Sequence, residues 1–213
     1  KRKPIVIEVP VPVVLASSSP QRARLLKRIV PEFEAVPPDV AESGHAEKQP
    51  RRQVAALAAA KARAVAARRP DALVIAADTL VECEGEVLGK PADRAHAVRI
   101  LEKLTSRPHR VLTGLHVAAP DGREMSAVSV AGIRMRPLSR EQIERYVDKE
   151  DVLERAGAYA LKELDPNVES LEGSRSAVQG LPLEDLARIL ENLFPRKAAG
   201  ADRHGPPAEK AES

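Results

Sequence analysis

The run DALVIAAD at residues 71–78 constrains the fold more than any other stretch, because its apolar residues follow one another without a polar break. A strand with one wet face alternates apolar and polar residues, whereas a continuous run belongs to a strand covered on both sides. VPVVLAS at 11–17 is a second, shorter run of this kind. Aromatic residues make up only 2% of the chain and Trp is absent. Val, Leu, Ile and Ala must therefore build the core, and 213 residues are enough for a sizeable one.

Helical periodicity fills the intervals between the runs. Pro20 stands in the first turn of a helix carrying Leu25, Leu26 and Ile29. RRQVAALAAAKARAVAARRP reads as an Ala-rich helix closed by Pro70, and DRAHAVRILEKLTS as another with Val98, Leu101 and Leu104 on one stripe. EFEAVPPDVAESGHAEKQP reads mainly as loop, and TLVECEGEVLGKP as a hairpin turning at EGE. The segment from His109 to Pro137 alternates around a Pro-Asp-Gly turn, which predicts a long antiparallel hairpin. Ser139 and Gln142 form a capping-box pattern for SREQIERYVDK, and after a glycine-containing loop LPLEDLARILENLF supplies the last helix. The class is α/β: a mixed twisted sheet flanked by helices. One domain is expected over residues 1–195, with a disordered tail over 196–213.

Charge and cysteine narrow the function. The net charge is +3, with basic and acidic residues interleaved, and two Phe and two Tyr offer little for stacking bases. A nucleic-acid partner is therefore not expected. No stretch approaches the roughly 20 apolar residues of a membrane span, and Glu8, Pro10 and Pro12 break any signal-like run. Cys83 stands alone and cannot form an internal disulfide, which fits a reducing cytoplasm. GEVLGK has the wrong spacing for a P-loop, and the histidines show no zinc-ligand pattern.

Three places can carry chemistry. In ASSSPQR a strand runs through serines into a helix, so Ser17, Ser19 and Arg22 make either an ordinary N-cap or a phosphate site. Lys61 falls on the covered face of its helix beside Val54, Leu57 and Val65. Its ammonium must snorkel to the surface or point into a polar cavity towards an anion. Asp78 closes the buried run, where α/β folds place ligands outside the carboxyl ends of strands. It is suited to bind a metal or take a proton from water, and its bland role is to cap a turn. Glu42 is a plausible second carboxylate for a hard cation, and Lys90 a further positive charge.

Taken together and in order, LASSSPQRARLL, LAAAKA, AADTLV, LGKP, HRVLTG, RAGAYAL and EGSRSAVQGLPL resemble the motifs of the Maf-like (septum-formation protein) nucleotide pyrophosphatases across residues 13–194. The resemblance implies two lobes around a nucleotide-binding cleft, usually in a homodimer. It also implies hydrolysis of nucleoside triphosphates to the monophosphate and pyrophosphate with Mg²⁺ or Mn²⁺. By motif match Asp78 is the catalytic acid/base and Glu42 its helper, both as metal ligands, while Ser17, Ser19, Arg22, Lys61 and Lys90 grip the triphosphate. Three specificity positions depart unequally. Gln21 stands where pyrimidine-preferring members carry Arg, Lys162 where they carry Gln, and Thr79 agrees with them. Arg155 stands where the family has Lys. One competing reading keeps the chemistry, with dTTP and UTP replaced as targets by modified nucleotides cleared from the pool; the other is a non-catalytic, nucleotide-binding regulator of cell division.

Overall fold

The computed structural model describes residues 6–40, 49–149, 151–159 and 165–195. Glu42, Lys162 and the segment read as a disordered tail lie outside the described residues.

β1 (Val13–Leu15) leads through Ser17–Ser19 into α1 (Pro20–Leu26), and β2 (Glu34–Ala35) follows. α2 (Pro50–Ala66) crosses to β3 (Leu73–Cys83), which turns into β4 (Glu86–Leu88). α3 (Arg94–Ser106) precedes the long hairpin of β5 (His109–Ala118) and β6 (Glu124–Met135). α4 (Arg140–Lys149), a 3₁₀ turn at Ala156–Ala158, another at Asp165–Asn167, β7 (Val168–Glu172), α5 (Arg175–Val178) and α6 (Leu183–Leu193) complete the chain. Among the described residues, seven strands form one mixed sheet in the order β2-β1-β3-β5-β6-β7, with β4 also on β3. β1 runs parallel to β2 and β3, and the other pairs are antiparallel. None of the described helices is long and apolar enough to cross a membrane.

Alternation along β3 explains the layers. Leu73, Ile75 and Ala77 enter a core with α1 and α6, while Val81 and Cys83 enter a second core with α3 and α4. Val74 and Ala76 face the other way, onto Ala62 and Val65 of α2. A strand buried on both sides needs apolar residues at successive positions, which is why DALVIAAD has no alternation. The capping box of α4 forms as its pattern predicts: Ser139 N donates to Gln142 Oε1 at 2.8 Å, and Gln142 N to Ser139 Oγ at 3.2 Å.

Four boundaries differ from expectation. β3 does not end at Asp78 but continues to Cys83, so the strand and the first arm of the hairpin are one element. α2 begins at Pro50 and closes at Ala66, before Pro70. The segment read as loop contains β2, whose two exposed residues bury nothing and join the sheet only by pairing with β1. The loop before α6 contains β7 and α5, each too short to show a period.

β3 shares one edge between two short partners. β1 pairs with Leu73–Ile75, and β4 pairs with Val81–Cys83. Among the described residues no strand pairs with 76–80 on that edge, while the opposite edge is paired with β5 throughout Val74–Glu82. A gap therefore opens in the middle of the sheet, with Asp78 and Thr79 on its rim.

α2 approaches this region closely because Ala58 and Ala62 keep part of its buried side small and Gly114 of β5 has no side chain. A Cβ built at Gly114 would lie 2.3 Å from the Val54 carbonyl oxygen. Gly114 is also the register partner of Asp78. Gly114→Ala is therefore expected to push α2 outward, costing about 3 kcal/mol and lowering Tm by roughly 6–12 °C. Gly132→Ala, whose Cβ would meet nothing nearer than 4.0 Å, should leave Tm almost unchanged. Calorimetry of the two variants makes the comparison.

Candidate active site

A cleft of about 940 Å³ opens over the gap in the sheet. Ser17, Ser19, Gln21, Arg22, Lys61, Asp78, Thr79 and Lys90 all line it. The structure thus brings every described candidate residue to one cavity, although they come from both sheet faces and both sides of the gap. Asp78 reaches it from mid-strand, not from beyond a strand end: the edge is uncovered at that position. The strand-end rule holds instead for β1, whose carboxyl end delivers the serine turn.

At the cleft floor Lys61 Nζ donates to Asp78 Oδ1 at 2.7 Å. Lys61 is 4% exposed and Asp78 6%. The lysine therefore does not snorkel: its ammonium stays in the interior, paired with a carboxylate on the adjacent strand. Two buried charges are tolerable because each compensates the other, and removing one partner typically costs about 3–5 kcal/mol.

The serine turn is both a cap and a donor surface. Ser19 is the N-cap of α1, and its Oγ accepts from Arg22 N at 3.3 Å. Ser17 Oγ accepts from Ser19 N at 3.1 Å and from Arg22 Nη1 at 3.4 Å. A hydroxyl has two lone pairs and one proton, so Ser17 has spent both lone pairs and retains its O–H. In the cleft it is a hydrogen-bond donor, the polarity that suits a phosphate oxygen. Arg22 spans three elements, donating from Nε to the Gly180 carbonyl at 2.9 Å and from Nη2 to Thr79 Oγ1 at 3.3 Å.

The opposite wall is more acidic than sequence reasoning anticipated. Lys90 Nζ pairs with Glu154 Oε2 at 3.2 Å, a solvent-exposed contact, and Asp151, Glu154, Arg155 and Tyr159 line the cleft beside it. The turn carrying these residues is held by Gly157 N donating to the Gly89 carbonyl at 3.1 Å. Gly157 has φ +70°, and a Cβ there would also sit 2.8 Å from Val81 Cγ2. Tyr159 hydroxyl meets His109 Nε2 at 3.1 Å, and His109 Nδ1 lies 3.5 Å from the Arg107 carbonyl. With its ring proton on Nδ1, His109 would serve both contacts, facing the carbonyl with an N–H and accepting from Tyr159 at Nε2.

Gln21, at the cleft mouth, accepts from Arg24 Nη2 at 2.6 Å through its Oε1. Thr113, Tyr159, Gly180 and Glu154 were not singled out by the residues alone. For Thr113 a signal existed: in VLTGLHVA only Thr113 and His116 interrupt an apolar strand. The others depend on which loops meet across the gap.

Mg²⁺ is commonly held through one or two carboxylates together with substrate phosphate oxygens. Asp78 in the cleft is a carboxylate of that kind. Among the described residues no group of three or more His, Cys, Asp or Glu side chains could hold a metal unaided. The donor set therefore fits a cation captured jointly with a phosphate chain.

Comparison with known proteins agrees over nearly the whole chain. A family model described as Maf-like protein matches residues 12–193. The protein named dTTP/UTP pyrophosphatase from Symbiobacterium thermophilum is 41% identical over 191 residues, covering 89% of this chain and 98% of its own. Its namesake from Moorella thermoacetica is 44% identical over 180 residues, covering 84% and 93%. Among solved structures, the Staphylococcus aureus Ham1 protein aligns with a TM-score of 0.51 at 20% identity, over 85% of this chain and 98% of that one. At that identity the likeness shows the fold alone.

The buried histidines give the structure a pH signature. Burial pushes the His109 imidazole below its ordinary value, against the opposing carbonyls of Arg107 and Leu104. Burial does the same at His116, where Glu124 opposes the shift. The unfolded chain takes up protons first, near 6.5, so stability is full above that pH and is lost as pH falls through it towards the depressed folded values. Tm is expected to drop between pH 7 and pH 5, and His109→Gln, which keeps an acceptor for Tyr159, should show a shallower drop. A Tm-versus-pH profile no shallower in the variant would rule out His109 as a contributor.

Proposed function

Because the chain belongs to the Maf-like protein family, we propose that it hydrolyses nucleoside triphosphates to the monophosphate and pyrophosphate, favouring dTTP and UTP. The observation that carries this reading is the buried Lys61–Asp78 pair, set in a cleft lined by hydroxyls and guanidinium. A non-catalytic regulator would need to bind nucleotide but would not need a positioned carboxylate. The relatives' pyrophosphatase names favour the enzyme further.

In this mechanism the oxygen of a water molecule forms a bond to the α-phosphorus, and the bond from the α-phosphorus to the oxygen that bridges it to the β-phosphate breaks. Asp78 accepts the water's proton, and pyrophosphate leaves with the bridging oxygen. Lys61, bonded to Asp78 Oδ1, fixes the direction in which the carboxylate faces. Ser17 donates its O–H to a phosphate oxygen, while Ser19 and the cations Arg22 and Lys90 spread charge along the chain. Lys90 must exchange Glu154 for phosphate on binding, an exchange of low cost because the pair is exposed. A divalent cation, Mg²⁺ or Mn²⁺, would be held by Asp78 and Glu42 and would neutralise phosphate charge. Gln21, Thr79 and Lys162 select the base.

Pyrophosphate release from a panel of nucleoside triphosphates tests the reading. The wild type should release it in a metal-dependent way, with dTTP and UTP leading. Asp78→Asn should lower kcat by about a thousandfold. That variant also leaves the Lys61 ammonium without its carboxylate, so it must be assayed well below its own reduced Tm. Wild-type activity in a folded Asp78→Asn protein would remove Asp78 from the mechanism. Gln21→Arg should change the ranking of bases several-fold while altering kcat on UTP by less than twofold, and equal losses on every substrate would refute its selective role.

A further inference from the structure

Proton counting across the hydroxyls behind the cleft assigns a role to a residue that never touches it. Thr113 of β5 is fully buried and absent from the cleft lining. Its Oγ1 lies 2.8 Å from the Ala177 carbonyl and 3.0 Å from Thr79 Oγ1. A carbonyl can only accept, so the single proton of Thr113 goes to Ala177. The contact with Thr79 then has one possible direction, Thr79 donating and Thr113 accepting. Thr79 Oγ1 in turn accepts from Arg22 Nη2 at 3.3 Å.

The chain closes on itself. Gly180 N donates to the same Ala177 carbonyl at 2.9 Å, and the Gly180 carbonyl accepts Arg22 Nε at 2.9 Å. Arg22, Thr79, Thr113, Ala177 and Gly180 thus form a ring that grips the guanidinium on two edges. Gly180 can take part because its φ of +102° is open to glycine, and a Cβ there would approach Arg22 Nε to 3.4 Å.

We propose that Thr113 is a positioning residue: through Thr79 it immobilises the Arg22 guanidinium and makes Thr79 an acceptor-only group towards the cleft. With its proton spent on Thr113 and one lone pair on Arg22, Thr79 has a single lone pair to offer a ligand. It cannot donate to a phosphate oxygen or to a ring acceptor. It can receive an N–H, such as the imide N–H that uracil and thymine carry where cytosine has a bare ring nitrogen. This substrate consequence rests on the pyrophosphatase reading; the grip on Arg22 does not.

Thr113→Val removes the hydroxyl at nearly constant volume, and Ala177 keeps its bond from Gly180. Thr113→Ser restores the hydroxyl. The first readout is the nitrogen-15 NMR of the Arg22 side chain in the ligand-free protein. Rotation of its guanidinium should be at least about tenfold faster in Thr113→Val than in the wild type, and near wild type in Thr113→Ser. The second is pyrophosphate release: Thr113→Val should lower the UTP-to-CTP ratio of kcat/KM about tenfold, mainly through KM, and Thr113→Ser should recover it. Thr79→Val breaks the ring one link earlier and must free the guanidinium equally, which keeps the test open if Thr113→Val does not fold. Unchanged rotation, or freed rotation with an unchanged UTP-to-CTP ratio, overturns the proposal. If no version releases pyrophosphate from any nucleotide while Thr113→Val frees the guanidinium, the pyrophosphatase reading falls and the positioning role stands.

Discussion

A lysine ammonium and a carboxylate 2.7 Å apart, both nearly excluded from water, set the geometry around which the rest of this protein is arranged. Neither charge could be buried alone, because each would lose its hydration without recompense. Their pairing needs α2 to lie tightly against β3 and β5, so that a side chain from the helix reaches the strand. The alanines of α2 and the missing side chain of Gly114, whose Cβ would collide with the Val54 carbonyl, supply that proximity. Helix composition, strand glycine and ion pair are thus one device.

The second constraint is topological. β3 is a long central strand whose one edge is shared by two short neighbours that do not meet. Successive residues of a strand face opposite sides of a sheet, and Asp78 and Thr79 obey that rule. Both reach the same cleft only because the sheet is open beside them. Asp78 turns to α2 and its lysine, and Thr79 turns to α1 and its arginine. The gap lets two different chemical environments, one from each face, serve one cavity.

Hydroxyl groups give this cavity a sense of direction. Ser17, with both lone pairs occupied by Ser19 N and Arg22, offers its proton. Thr79, with its proton committed to Thr113, offers a lone pair. A mobile hydroxyl would adapt to either kind of ligand, whereas hydroxyls bound to carbonyls and guanidinium cannot. The Ham1 protein shares the overall fold at 20% identity, and a shared fold does not transfer such detail, which resides in particular side chains.

Residue order and pattern alone determined the α/β class, the long β5–β6 hairpin, the capped helix α4 and part of the cleft lining, the candidates Ser17, Ser19, Gln21, Arg22, Lys61, Asp78, Thr79 and Lys90. These follow from local rules: unbroken apolar runs, period-two alternation around Pro-Asp-Gly, a Ser…Gln cap, and short motifs in a recognisable order. The same rules misjudged the length of β3, since a covered strand crossing from one core to another shows no break at Asp78. They also missed β2, β7 and α5, which are too short to carry a period. Only the tertiary structure decided that Lys61 pairs with Asp78 and does not snorkel, that Lys90 rests on Glu154, and that Thr113 stands behind Thr79. Each of these is a contact between residues 17 to 64 positions apart. Such contacts depend on which edges and faces are brought together, and no local pattern in a single chain encodes that.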